Sequence, residues 1–228
     1  MRKKPVVIFD IDGTIFRSSL LIELTEALIR ERIFPAHANK VYARAYQRWL
    51  DRRGPYEDYI AAVVKVFDQN LAGVPRDKFL RISRKIADFH QSRIYRYTRD
   101  LIKDLKRKKY YLLAISNSPK MILDEFCRKL GFNKVYGRIY EVEKGRFTGK
   151  TEYLDLISDK AKILKRAVQK ENLTLKNSIG VGDTESDIQF LKLVAQPICF
   201  NPNQKLYRYA KRRGWPIVAE RKDVIYFL

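Results

Sequence analysis

Between residues 18 and 95 the chain offers apolar residues at helical spacing and no strand pattern, while on either side short apolar runs alternate with helical ones. That interruption limits the fold more than any other feature. Strands alternating with helices build a parallel sheet covered on both faces. The reading is therefore α/β: a doubly wound, mostly parallel sheet from residues 1–16 and 96–228, with an all-helical insertion of three to five helices at 17–95.

The first strand, 5–12, is an apolar run ending in acids, as expected of a strand buried on both faces that stops at a polar site. In the insertion, Leu20, Leu21, Leu24, Ala27 and Leu28 recur at helical spacing behind Ser18 or Ser19 as N-cap. Breaks fall near Pro35, Gly54-Pro55 and Gly73-Val74-Pro75. The alternation resumes with a strand at 110–116, a helix at 120–130 closed by Gly131, and a hairpin turning at Lys144-Gly145. A helix at 159–170, a strand at 177–182, a short helix at 187–194 and a strand at 196–200 follow. A helix at 203–213 and a last strand at 215–219 complete the series.

The charge is lopsided, with 47 Lys and Arg against 26 Asp and Glu, a net +21. Such an excess attracts polyanions, and a basic nucleic-acid-associated protein is one reading it permits. Distribution favours a basic solvated surface instead. The insertion holds only 15 bases against 9 acids, and the dense clusters at 103–109 and 208–213 sit on helices whose apolar residues face the sheet. No RNA- or DNA-binding signature accompanies them. No apolar stretch approaches the roughly 18–20 residues that cross a bilayer, and about five apolar residues after a basic start are too few for a secretory leader. A soluble, cytoplasmic protein with no membrane partner is expected. Cys127 and Cys199 lie in apolar contexts and read as core residues, with no disulfide or zinc framework.

Ligands of open parallel sheets bind beyond the carboxyl ends of the strands, and four polar groups stand there. Asp10 and Asp12 follow the first strand, with Gly13 to turn the chain and Thr14 to fix the loop. Ser116, Asn117 and Ser118 close the second strand, where a hydroxyl and helix-start N–H groups can hold a phosphoryl oxygen. Lys160, Lys162 and Lys165 follow on a helix, where a buried ammonium can neutralise such a group. Asp183 and Asp187 straddle a helix start four residues apart and suit magnesium by hard oxygen ligation. Each group alone has an ordinary structural explanation as a turn or a cap. Their joint occurrence in this order does not.

These residues resemble the haloacid dehalogenase superfamily, in its phosphoserine-phosphatase-like branch. The run Asp10-Ile11-Asp12-Gly13-Thr14 and the segment Gly182 to Asp187 carry the likeness, and the insertion is similar to that branch's helical cap on a Rossmann-like core. The resemblance implies a Mg2+-dependent phosphomonoester hydrolase acting on a small phosphorylated metabolite. In it Asp10 is the nucleophile that becomes phosphorylated and Asp12 the acid-base residue. Ser116 and Asn117 bind phosphate, and Lys160 does so in preference to Lys162. The metal is held by Asp10, Asp12 through its main-chain carbonyl, Asp183 and Asp187, the last directly or through its neighbours. Superfamily members that cleave carbon–halogen or carbon–phosphorus bonds, and those that pump ions, lack an acid at the place of Asp12. A phosphatase remains, or a phosphotransferase or phosphomutase of the same fold.

One position departs from that branch. Where it carries a substrate-binding Glu, this chain has Ser19, which argues against phosphoserine as substrate; Glu23 lies one helical turn further on. Arg17, Arg44, Arg48 and Arg52 are candidates to meet an anionic substrate. His37 and His90 read as surface or packed histidines, and Tyr42 and Trp49 as packing within the insertion.

Overall fold

The computed structural model describes residues 3–228. Its strands are β1 (Lys4–Phe9), β2 (Tyr111–Pro119), β3 (Lys134–Glu143), β4 (Arg146–Glu152), β5 (Leu173–Gly182), β6 (Gln196–Phe200), β7 (Ile217–Arg221) and β8 (Val224–Phe227). They form one sheet in the order β4-β3-β2-β1-β5-β6-β7-β8. The six inner strands run parallel and the two edge strands antiparallel. The helices are α1 (Leu20–Arg30), α2 (Lys40–Leu50), α3 (Tyr56–Leu71) and α4 (Arg76–Phe89) in the insertion, then α5 (Arg96–Arg107), α6 (Lys120–Leu130), α7 (Leu154–Ile157), α8 (Lys160–Lys170), α9 (Ile188–Leu191) and α10 (Gln204–Arg213).

β1 shows why the sheet is covered twice. Its alternating side chains point to opposite faces. Val7 and Phe9 join an apolar cluster with residues of α5 and α6, while Val6 and Ile8 join another with α8, α9 and α10. All four are fully buried, so the strand carries no polar face.

β1 ends at Phe9, so Asp10 and Asp12 lie in the loop beyond it and not in the strand read as 5–12, and a short helix, α7, was not foreseen; two further strands differ more. β5 begins at Leu173, four residues early, and Asn177 interrupts it with φ +60 at a register shift against β1. The polar run before Ser178 hides this half of the strand. The last strand ends in an unforeseen turn at Lys222 (φ +53), after which β8 pairs back onto β7.

The insertion leaves and rejoins the sheet through two linkers that bond to each other, Tyr95 N–H to Ile15 C=O at 2.9 Å and Arg17 N–H to Arg93 C=O at 3.0 Å. Glu220 on β7 locks this junction. Its carboxylate accepts Arg17 at 2.5 Å and the Arg96 and Tyr97 N–H groups at 3.1 and 2.8 Å, serving the first turn of α5 where Tyr95 supplies no side-chain cap. At its far end the insertion meets the β3–β4 hairpin. Gly73 N–H donates to Phe147 C=O, Phe147 N–H to Val74 C=O and Arg76 N–H to Gly145 C=O, and the Phe79 and Phe147 rings meet edge to face at 4.9 Å. Helix α4 packs on α6, so the insertion and one sheet face share a single apolar cluster.

Candidate active site

The site lies at the carboxyl ends of β1, β2 and β5, under the insertion. Asp10 leaves β1 with its N–H on Val181 C=O. The chain then turns tightly: the Ile15 and Phe16 N–H groups both donate to Ile11 C=O, and the Gly13 N–H is shared between Phe16 and Ser18 carbonyls. Gly13 sits at φ +80, which disfavours a side chain, and a Cβ there would collide with the Asp183 carboxylate.

Lys160, on the first turn of α8 behind its Asp159 cap, is buried and donates to Asp10 Oδ1 at 2.5 Å and Asp187 Oδ1 at 2.6 Å. The other oxygen of Asp187 accepts the Asp183 and Thr184 N–H groups, each at 3.0 Å. Asp187 therefore shapes the loop after β5 as well as orienting Lys160. Gly182 allows this, because a Cβ there would strike the Asp187 side chain. Asp183 receives the Thr14 hydroxyl at 3.3 Å. Lys162, the alternative lysine, is exposed.

Asp12 is held apart from this group. Its Oδ1 accepts the Leu20 N–H at 2.6 Å, so the acid, rather than Ser19 or Ser18, satisfies the start of α1. Its Oδ2 accepts the Ser116 and Ser118 hydroxyls at 2.6 and 2.8 Å. Asn117, between them on the pleat, is exposed on the rim of the same cavity.

The carboxylates crowd one another. Ligand oxygens of Asp10, Asp183 and Asp187 lie within 4.8 Å of one another. Burial, opposed by Lys160 and reinforced by Asp187 and Asp12, pushes the Asp10 carboxyl up to about 8. Desolvation, then Asp10 and Asp187, also raises Asp183. Lys160 is held above its ordinary range: burial works against its charge, but Asp10 and Asp187 outweigh it. One ammonium does not balance three acids, and all the donors are hard oxygens beside a glycine that leaves room. That donor set fits a divalent cation of the magnesium type.

A cavity of about 670 Å³ rises from these residues, walled by Glu23 and Glu26 of α1, Tyr46 and Trp49 of α2, and Tyr56 and Tyr59 of α3. Trp49 packs against the insertion's apolar cluster as its spacing predicts, and it also lines the cavity, while Tyr42 is buried. The i, i+3 aromatic pairs on two helices were the signal that could have found this wall. Glu23 is fixed by His90 Nε2 and Arg93, both at 3.1 Å, so His90 is packed but not idle. Burial, partly offset by Glu23, lowers the His90 pKa. Arg17 is tied to Glu220, and Arg44, Arg48, Arg52 and His37 are exposed.

Residues 7–192 match the haloacid dehalogenase-like hydrolase family, and the chain belongs to it. It is a phosphatase of that family. It is 25% identical to a phosphoserine phosphatase of Archaeoglobus fulgidus over 90% of this chain, but spans only 55% of that relative's length. It is 24% identical to a histidinol-phosphatase of Neisseria meningitidis serogroup C, over 94% of this chain and 98% of that one. Among solved structures, a phospho-aspartyl intermediate analogue of phosphoserine phosphatase shares the fold, with a TM-score of 0.63, 21% identity, and 97% and 96% of the two chains covered. No helix among the described residues is long and apolar enough to cross a membrane.

Proposed function

We propose that the chain is a Mg2+-dependent phosphomonoester hydrolase that passes the phosphoryl group of a small metabolite through Asp10. The observation that carries this reading is the division of labour at the strand ends. Asp10, Asp183 and Asp187 converge around Lys160, while Asp12 stands apart on two serine hydroxyls.

In the first step an Asp10 oxygen bonds to phosphorus as the bond to the ester oxygen breaks, and protonated Asp12 delivers its proton to the leaving alkoxide. In the second, Asp12 takes a proton from water, whose oxygen bonds to phosphorus as the Asp10–phosphorus bond breaks. Orthophosphate leaves and both acids return to their starting states. Ser116 binds a phosphoryl oxygen by turning its hydroxyl away from Asp12, which frees Oδ2 to carry the proton. Lys160 balances charge on Asp10 and on the transferring group, and Asp187 keeps Lys160 in place. Asn117 meets the phosphoryl group from the rim. Magnesium, held by Asp10, Asp183 and the Asp12 carbonyl with Asp187 in support, supplies charge neutralisation on the phosphoryl oxygens.

Residues 17–95 act as a cap domain that keeps water from the reacting centre. The activity belongs in the cytoplasm, where free, buried thiols such as Cys127 and Cys199 remain reduced.

The test is an acid-quenched reaction with an aryl phosphate, followed by peptide mapping. A hydroxylamine-labile phosphoryl group on the peptide bearing Asp10, absent from Asp10→Asn, is the expected result. Full turnover by Asp10→Asn refutes the assignment.

A further inference from the structure

The cavity above the carboxylates is acidic in a chain that is basic overall. Seven acids and four bases line it, although the chain as a whole carries +21. On the phosphatase reading above, a divalent cation and a phosphoryl dianion cancel each other there. Of the other lining acids, Glu185 is paired with Lys205 at 2.7 Å and Glu57 accepts from Asn203 at 2.8 Å, which leaves Glu23 and Glu26 to face the rest of the ligand.

The bases are already committed. Arg17 meets Glu220 at 2.5 Å, Arg93 meets Glu23 at 3.1 Å, Arg138 meets Asp68 at 3.5 Å and Lys160 meets Asp10 at 2.5 Å. Glu26, by contrast, has no hydrogen-bond or ion-pair partner among the described residues. Glu26 stands exposed at the rim, and its pKa is raised by desolvation and then by Glu23, with Arg30 acting against them.

Next to these two glutamates stands the aromatic wall. Trp49 and Tyr59 lie nearly parallel, 6.0 Å apart at 18°; Tyr46 is 4.9 Å from Tyr59 and Tyr56 is 5.4 Å from Trp49. Aromatic faces beside carboxylates attract an ammonium group through the ring quadrupole and through charge at once. Tyr56 joins the two ends of the cavity. Its hydroxyl is raised by burial, then by Asp12, Tyr59 and Asp183, and also by Glu23.

We propose that the substrate is the phosphomonoester of a short amino alcohol, whose cationic nitrogen is held between the Trp49–Tyr59 wall and Glu26, with Glu23 behind it. Each lining base already meets an acid, which favours an amino alcohol over an amino acid as the leaving group. His90 and Arg93 are positioning residues, acting through Glu23.

The test uses the full chain with Mg2+ and a matched pair of esters. Choline phosphate carries the cation, and 3,3-dimethylbutyl phosphate is its neutral isostere. Phosphoserine adds a carboxylate, and p-nitrophenyl phosphate reports the chemistry alone. Phosphate release should give choline phosphate about a tenfold or larger advantage in kcat/KM over the isostere, expressed in KM, and a similar advantage over phosphoserine. Glu26→Gln and Trp49→Leu should each shrink that ratio. Calorimetric titration of the unmodified chain with both esters gives a second readout that needs neither turnover nor a folded variant. Hydrolysis of the aryl ester with equal binding of the pair overturns the ammonium site and leaves the phosphatase standing. Preferential binding of choline phosphate without hydrolysis of any ester keeps the ammonium site and overturns the phospho-aspartate reading.

Discussion

Lys160 and Asp10 meet at 2.5 Å although 150 residues separate them, and both side chains are less than a tenth exposed. The contact joins β1 to the start of α8 across the sheet and holds the nucleophile on the Lys160 ammonium by a hydrogen bond before any ligand arrives. Replacing the lysine by an apolar residue of similar length, Lys160→Met, leaves Asp10 and Asp187 facing each other in a buried space. We expect kcat to fall by at least about 10²-fold and the fold to lose roughly 3–5 kcal/mol at neutral pH. Urea unfolding and steady-state kinetics on one preparation check both.

Metal binding should expel a proton. With Asp10 pushed up to about 8 in the metal-free chain, its carboxyl is mostly protonated at pH 7 and must ionise to hold a cation. Apparent Mg2+ affinity should therefore rise by up to about tenfold per pH unit below pH 8 and level off above it. The sign for stability is opposite. A carboxyl raised on folding stabilises the metal-free fold at low pH, and that contribution is lost as pH rises through about 8. The thermal midpoint without metal should therefore drop from pH 5 to pH 8, and the gain from Mg2+ should be larger at pH 8. Calorimetry in buffers of different ionisation enthalpy measures the proton released.

Asp12 has a more specific role. Asp12→Asn removes the acid-base group while keeping an acceptor for Leu20. Hydrolysis of an alkyl phosphate should fall by about 10²–10⁴-fold, whereas formation of the phosphorylated enzyme from an aryl phosphate, whose leaving group needs no proton, should fall much less. Rapid-quench comparison of the two esters reports the difference. Equal losses on both would place Asp12 elsewhere in the chemistry.

Gly13 is constrained twice, by φ +80 and by the Asp183 carboxylate above its Cα. Gly13→Ala should cost roughly 1–3 kcal/mol from backbone strain and displace Asp183. The diagnostic result is a weakened Mg2+-dependent thermal shift in a protein whose circular dichroism is unchanged.

Glu220 accepts three donors from the junction of sheet and insertion. Glu220→Ala strands two N–H groups at the start of α5 and should lower stability by roughly 1–3 kcal/mol. The Arg17 contact adds little of this, because the arginine is 43% exposed. Glu220→Gln, which retains an acceptor, should recover part of the loss in the same denaturation assay.

The sheet was legible in the sequence because its inner strands are buried on both faces and end abruptly in polar residues; β1 to Asp10 and β5 to Asp183 have that pattern. The same rule brought Asp10, Asp12, Ser116, Lys160, Asp183 and Asp187 to one end of the sheet, where the structure places them. The parts that escaped depend on distant partners. In the first half of β5, Thr174, Lys176 and Asn177 break the apolar run although Leu173 is buried, and β8 is only four residues after a charged turn. Trp49, Tyr56 and Tyr59 carry the spacing of an ordinary amphipathic helix, and only the packing of α2 on α3 turns them toward a cavity. Ser118 has the right residue type and position, but its acceptor, Asp12, lies 106 residues away.

The pairing of Gly73, Val74 and Arg76 with the β3–β4 hairpin gives the insertion a second anchorage, remote from its two linkers. A segment fastened at both ends behaves as a spanning arch and not as a trapdoor, because swinging it clear would tear backbone hydrogen bonds and the Phe79–Phe147 contact. The cavity beneath the arch is bounded by α1, α2, α3 and the loop after β5, so exchange of any ligand would depend on movements of side chains there and not on removal of the whole insertion.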